Sequence, residues 1–291
     1  MTDTVIYRNH PPGLWSLYSK ALLPKEKPSG GDIRIPGLSA KLIGVSTAND
    51  NLKRYQKVCG FGTQTTVPIT WPHILAFPLH LMLLTEKAFP LPLLGLVHLR
   101  NHITQHRPVG AGESLDITVR LDGQNNTQKG LEFDLVTEAW SVGRLVWEET
   151  STNLFRQPDK GGNKSGGKPP ELPRYPETTE ISAPESIGRQ YASVSGDRNP
   201  IHLHALTAKA FGFPRAIAHG MWSKARVLAV LEQQSGWRQE AVSVSCQFKK
   251  PLFLPGTAQL NWQTGESGWD YQLLNASGAA PHLSGEVRWG S

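Results

Sequence analysis

The chain reads as an α+β protein made twice over, each half a long helix wrapped by an antiparallel sheet. Three observations predict this. A stretch dense in Gly, Pro and charge, residues 156–176, cannot build a packed core and divides the 291 residues into parts 1–155 and 177–291. Each part holds one long apolar helical pattern and several alternating strand patterns. Short segments also recur in order: Tyr55-Gln-Lys-Val-Cys-Gly60 matches Tyr191-Ala-Ser-Val-Ser-Gly196 at an offset of 136 residues. A second echo, off by about one residue, links Pro108–Gly112 with Pro251–Gly256, each leading into an alternating run.

In the first half, Ile74 to Glu86 is the long helix, and Pro78 within it is expected to kink or shorten it. Gly95–His102, Ser114–Leu121, Leu131–Ser141 and Leu145–Asn153 are strands. In the second half, Gly220 to Gln234 is the helix, with Trp222, Ala225, Leu228 and Ala229 on a broad apolar face and Ser235-Gly236 closing it. Ala241–Phe248, Thr257–Gln263, Trp269–Asn275 and Leu283–Trp289 are strands.

Composition narrows the function. Two cysteines, Cys59 and Cys246, are too few for a disulfide framework and lie in apolar stretches, which suits a reducing, cytoplasmic compartment. The first residues lack the basic start and apolar run of a signal peptide. No apolar run reaches membrane-spanning length; the richest, Ile74 to Leu84, is about half of what a bilayer requires. The net charge of +6 and pI of about 9.3 suit an anionic ligand or an acidic carrier protein. No basic block with interleaved aromatics is present, so no nucleic-acid partner is expected.

The chemistry concentrates in Tyr191-Ala-Ser-Val-Ser-Gly-Asp197-Arg-Asn199-Pro-Ile-His202. Gly196 permits a sharp turn, and Pro200 biases Asn199 away from helix. Such a turn can aim a carboxylate and an imidazole at one water, a common way to move protons near neutral pH. A second block follows, Phe211-Gly-Phe-Pro-Arg-Ala-Ile-Ala-His219-Gly220-Met221. Gly220 stands where the long helix begins, so its backbone N–H lacks a helical acceptor and lies at the positive end of the helix dipole. His219 beside it reads as structural. In the first half Phe61 stands where the acid should be and Thr66 where the imidazole should be, which implies one active site per chain. His98, His102 and His106 recur every fourth residue, but on a strand they share a sheet face without converging, so no metal site is expected.

Together the two blocks resemble the hydratase-2 motif of the MaoC-like dehydratases: aromatic, Ser-Gly-Asp-x-Asn-Pro-aliphatic-His, then His-Gly-Met. The resemblance implies a tandem (double) hot-dog fold and the reversible hydration of 2-enoyl thioesters, R-specific, with no metal or redox cofactor. Coenzyme A or acyl carrier protein then belongs to the substrate. It also implies that Asp197 and His202 hold one water, His202 as principal base and Asp197 as partner and proton donor. Gly220 becomes the oxyanion donor, and Asn199 orients the loop or the water. A degenerate first half would bind the acyl tail in a tunnel beside the long helix. The alternatives are a thioester hydrolase on the same fold or a non-catalytic acyl-thioester binding subunit. With the halves pairing sheet edges, a monomer or a homodimer is compatible.

Overall fold

The computed structural model describes residues 4–21, 25, 33–157 and 171–290. Most of the expected linker, residues 158–170, lies outside the described residues. In chain order the elements are β1 (Thr4–Arg8), α1 (Leu14–Ala21), β2 (Ser39–Ser46), α2 (Asp50–Cys59), α3 (Trp71–Thr85), β3 (Leu96–Gln105), β4 (Ser114–Thr127), β5 (Gly130–Ser141) and β6 (Arg144–Arg156). After the linker come β7 (Glu177–Ala183), α4 (Ile187–Ser195), α5 (Pro200–Leu203), α6 (Ala205–Ala210), α7 (Gly220–Leu231), β8 (Val242–Phe248), β9 (Gly256–Gln263), β10 (Gly268–Asn275) and β11 (Pro281–Trp289).

Among the described residues the strands form one eleven-stranded sheet in the order β1-β2-β4-β5-β6-β3-β8-β11-β10-β9-β7. β1 to β6 occupy one side of the sheet and β7 to β11 the other. They join where β3 pairs antiparallel with β8, Ile103 opposite Val244. All pairings are antiparallel except β1 with β2. Alternation drives this: β5 buries every second residue from Leu131 to Ser141.

The central helix α3 is apolar on nearly every face, the pattern of a helix enclosed on all sides, and α7 is buried along most of its length. Every residue of α3 is buried except Phe77. The helix runs unbroken through Pro78 from Trp71 to Thr85, starting three residues before the sequence pattern placed it. Leu79 and Leu83 belong to the continuous core.

The shorter helices α2 and α4 pack on each other. Asn51 donates from its side-chain amide to the Val194 carbonyl, and Arg54 reaches Ser193. The repeated tyrosines meet here, Tyr55 and Tyr191 with ring centroids 6.2 Å apart. Each helix ends on a left-handed glycine, Gly60 at φ 83° and Gly196 at φ 80°.

Beyond that point the halves differ more than the sequence alignment implied. Thr66 forms an isolated bridge with Gly110, as Ile217 does with Phe253. Thr66 is therefore the structural counterpart of Ile217, and between Gly60 and Trp71 the first half has no helices equivalent to α5 and α6.

A buried polar chain crosses the seam between the halves. On α3, Nδ1 of His73 lies 2.9 Å from both carboxylate oxygens of Glu149. Asn101 on β3 donates to Glu149 at 2.5 Å and accepts from Nζ of Lys224 on α7. Lys224, fully buried, also donates to the Val244 carbonyl at 3.1 Å. Burial alone would raise the Glu149 carboxyl, but His73 and Asn101 outweigh it and hold it down at about 2. Burial lowers the Lys224 ammonium to about 8.

His98 does not share a sheet face with His102. β3 carries a bulge at Leu99, between His98 and Arg100, which turns His98 inward against Phe248 at a ring distance of 4.9 Å. His102 bonds Ser245 on the outer face, and His106 pairs with Glu148.

The buried histidines predict acid sensitivity. Burial lowers His80 and His219 to about 3 and His98 to about 4, from an ordinary value of 6.5. Their contribution is fully present above pH 6.5 and is lost as pH falls through the window below it, because only the unfolded chain takes up the protons there. At pH 5 each costs about 2 kcal/mol of stability. Thermal melts should show Tm dropping steeply from pH 7 to pH 5; a flat Tm over that range would mean that these imidazoles titrate freely.

Candidate active site

The site is built on the segment that only the second half possesses. Gly196 closes α4 in the left-handed region, and its N–H bonds the Ala192 carbonyl at 3.1 Å. The next peptide groups are held one by one. The Asp197 N–H donates to Ser195 Oγ at 3.1 Å, the Asp197 carbonyl accepts from Nε2 of His219 at 3.0 Å, and the Asn199 N–H donates to Asp197 Oδ1 at 3.1 Å. The Asn199 side chain caps α5 by accepting from the Ile201 N–H at 3.4 Å. That short helix carries His202.

His202 is fixed through its ring and its backbone. Its Nδ1 donates to the Ile217 carbonyl at 2.8 Å, and the Ile217 N–H donates to the Ile201 carbonyl at 3.1 Å. Because Nδ1 carries the proton, Nε2 is left as the basic lone pair. A carboxylate oxygen of Asp197 and ring nitrogens of His202 and His219 all lie within 4.8 Å of one another. That span fits one water bonded to two groups at once.

The electrostatics leave the imidazole neutral and the carboxylate charged. Burial lowers His202, and Asp197 and the Ile217 carbonyl only partly offset this, so the imidazole is neutral near neutral pH. Burial would raise Asp197, but His219, His202 and the Asn199 amide outweigh it and keep it ionised. The Asp197 side chain is 31% exposed while His202 is buried, so the pair opens to solvent on the carboxylate side.

His219 is more central than its sequence context implied. It stacks on His202 with ring centroids 3.7 Å apart and packs against Tyr191 at 4.9 Å. Its Nε2–H clamps the Asp197 carbonyl, so it sets the loop rather than the chemistry. Gly220 opens α7 immediately afterwards, and the first-turn amides there have no acceptor within the helix. The absent Cβ is explained by packing: it would stand 3.0 Å from the Phe248 ring. Ser223 Oγ bonds back to the His219 carbonyl at 3.3 Å, which ties it to the helix backbone.

Gly188 is a residue the motif does not reveal. A Cβ there would stand 1.9 Å from the His202 carbonyl oxygen. Gly188→Ala should therefore displace α5 and lower turnover about tenfold or more, since small misplacements of catalytic groups are costly. Gly62→Ala, where a Cβ meets nothing within 4 Å, is the control and should behave as wild type. Equal activity of the two variants would show that the α4–α5 contact does not set His202.

Comparison with known proteins identifies the family. A MaoC like domain model matches residues 164–273, which cover β7, α4 to α7, β8, β9 and most of β10. The chain is 38% identical over 241 residues to 3-hydroxyacyl-thioester dehydratase X of Mycobacterium tuberculosis, covering 82% of this chain and 84% of that protein. The chain belongs to the MaoC-like dehydratase family. The crystal structure of HtdX of Mycobacterium tuberculosis superposes with a TM-score of 0.74 at 34% identity, over 86% of this chain and 99% of that one. A further Mycobacterium tuberculosis protein, described as having a double hotdog fold, superposes at 0.57 with 11% identity, over 88% of this chain and 96% of that one, a likeness of fold alone. The tandem hot-dog expected from the sequence is the architecture of this MaoC-like dehydratase.

Proposed function

We propose that this MaoC-like chain is a hydro-lyase that adds water reversibly across the double bond of 2-enoyl thioesters, forming 3-hydroxyacyl thioesters. The observation that carries the reading is a neutral His202 imidazole and an ionised Asp197 carboxylate, a ring nitrogen of one within 4.8 Å of an oxygen of the other. Neither group holds a spare proton at the start. The proton delivered to the α-carbon is therefore the one taken from the attacking water. In hydration His202 Nε2 takes that proton while the water oxygen bonds the β-carbon. Asp197, beside it, stabilises the imidazolium that forms, and the pair returns the proton to the α-carbon. Dehydration runs the same steps backwards.

Charge passes through the thioester oxygen on the way. The first-turn amides of α7, Gly220 foremost, are the donors proposed to meet it, at the positive end of the helix dipole. Asn199 serves by holding Asp197 and capping α5. The step moves a proton and a hydroxide with no electron transfer, so it calls on no redox cofactor. Coenzyme A or acyl carrier protein enters as part of the substrate, and R-specificity follows from kinship with the family. The relatives include enoyl-CoA hydratase 2, peroxisomal, of Arabidopsis thaliana, 27% identical over 142 residues, covering 43% of this chain and 45% of that protein.

The acyl tail is assigned to the first half, residues 1–155. Its support is Phe77, the one partly open residue of α3, whose ring lies 3.5 Å from where a Cβ on Gly196 would stand. The β3–β8 seam supplies the paired sheet within one chain, so one active site per chain is proposed for a monomer or a homodimer. Among the described residues no helix is long and apolar enough to cross a membrane.

The test is incubation with crotonyl-CoA, following enoyl absorbance and free thiol together. Loss of absorbance without thiol supports the reading. Release of thiol would make the chain a hydrolase, and no change with any enoyl thioester in a chain-length panel would leave a binding protein.

A further inference from the structure

We propose that Tyr18, on α1, is a positioning residue that holds the Asp197 loop in its working geometry from the far end of the chain. This rests on the reading of Asp197 as a catalytic group. The Tyr18 hydroxyl donates to the Gly196 carbonyl at 2.8 Å and accepts from the Arg198 N–H at 2.7 Å. Those two peptide groups bracket Asp197.

Other bonds to this loop, from Ser195, His219 and the Asp197 carboxylate itself, come from the second half. Tyr18 reaches it from 180 residues away and bonds both sides of one residue. A hydroxyl can do this only as a simultaneous donor and acceptor, so the phenol must keep its proton. Burial, helped by the nearby Asp197 carboxylate, raises the phenol well above its ordinary range, which secures that state.

The rest of α1 is seated to deliver the hydroxyl. A Leu14 methyl lies 2.7 Å from where a Cβ on Gly196 would stand, so the left-handed glycine and α1 require each other. On the outer side the Arg198 guanidinium lies over the exposed Trp15 ring at 5.1 Å. The titratable and charged groups that bear on Asp197 are His219 at the start of α7, His202 on α5, His73 on α3, Tyr191 on α4, Tyr18 on α1 and its neighbour Arg198. Without the bracket the carboxylate is no longer held beside the His202 imidazole, whose proton affinity it raises.

The experiment compares Tyr18→Phe, Leu14→Ala and Asp197→Asn with wild type, using crotonyl-CoA and folded fractions matched by circular dichroism. kcat, KM and the pH–rate profile are read for each. Tyr18→Phe should lower kcat about tenfold with KM nearly unchanged, as expected when a catalytic group is slightly misplaced. It should also move the acidic limb of the profile, set by His202, to lower pH, because the carboxylate that raises that imidazole is less firmly held. Leu14→Ala loosens α1 but keeps the hydroxyl, so its limb should stay in place. Wild-type kcat and profile in Tyr18→Phe would overturn the proposal. So would equal losses in Tyr18→Phe and Leu14→Ala with neither limb moved, which would make α1 a packed cover only. Wild-type turnover in Asp197→Asn would instead remove the reading beneath it, whereas an inactive Asp197→Asn beside an unaffected Tyr18→Phe removes only the role of Tyr18.

Discussion

Replacing Asp197 with asparagine, or His202 with alanine, is expected to lower kcat about a hundredfold or more while the acyl thioester still binds. General acid–base groups contribute roughly 10²–10⁴-fold to rate. The two substitutions act on different sides of one device. Asp197→Asn keeps the shape of the loop but removes the negative charge that stabilises the His202 imidazolium. His202→Ala removes the lone pair whose direction the Ile217 carbonyl sets. Because the groups share one water, the double variant should be little worse than the worse single variant. Steady-state kinetics at several pH values checks this. Losses that simply multiply would mean that the two groups act in separate steps.

Breaking the buried seam should produce the largest loss of stability. Glu149→Ala is expected to cost about 3–5 kcal/mol, the range for removing one partner of a buried pair. The mutation leaves His73 and Asn101 facing an apolar gap and weakens the hold on Lys224 through Asn101. The partly exposed pair Arg107–Glu113 is the comparison, where truncation of Arg107 to Ala should cost about 1 kcal/mol or less. Urea unfolding monitored by tryptophan fluorescence measures both. Similar costs at the two sites would show that the seam is packed by its apolar residues and that the polar chain adds nothing.

How much of this was legible in the sequence follows from how far apart the partners lie. Asp197, Asn199 and His202 sit within six residues, and one turn and one short helix arrange them, so the motif carries their geometry. His219 and Gly220 were visible as a block, but the stacking of His219 on His202 was not. That contact depends on the bridge of Ile217 with Phe253, which brings the start of α7 back over α5. Tyr18 was invisible because nothing near residue 18 marks it; its partners are set by α1 docking on α3 and the loop. The inward turn of His98 came from a bulge that alternation cannot show. The first-half alignment failed for a related reason. Matching residues one to one after Gly60 placed Thr66 on His202, whereas the strand pairing places it on Ile217, across a segment the first half lacks.

The most direct test of the central claim is where the oxygen of water goes. Crotonyl-CoA converted in heavy-oxygen water and analysed by fragmentation mass spectrometry should carry a single labelled oxygen on the β-carbon, with the thioester intact. The label should appear about a hundredfold or more slowly when Asp197→Asn or His202→Ala replaces the wild-type chain. Label in a free carboxylate, or labelled 3-hydroxyacyl product formed equally well by both variants, would contradict the account.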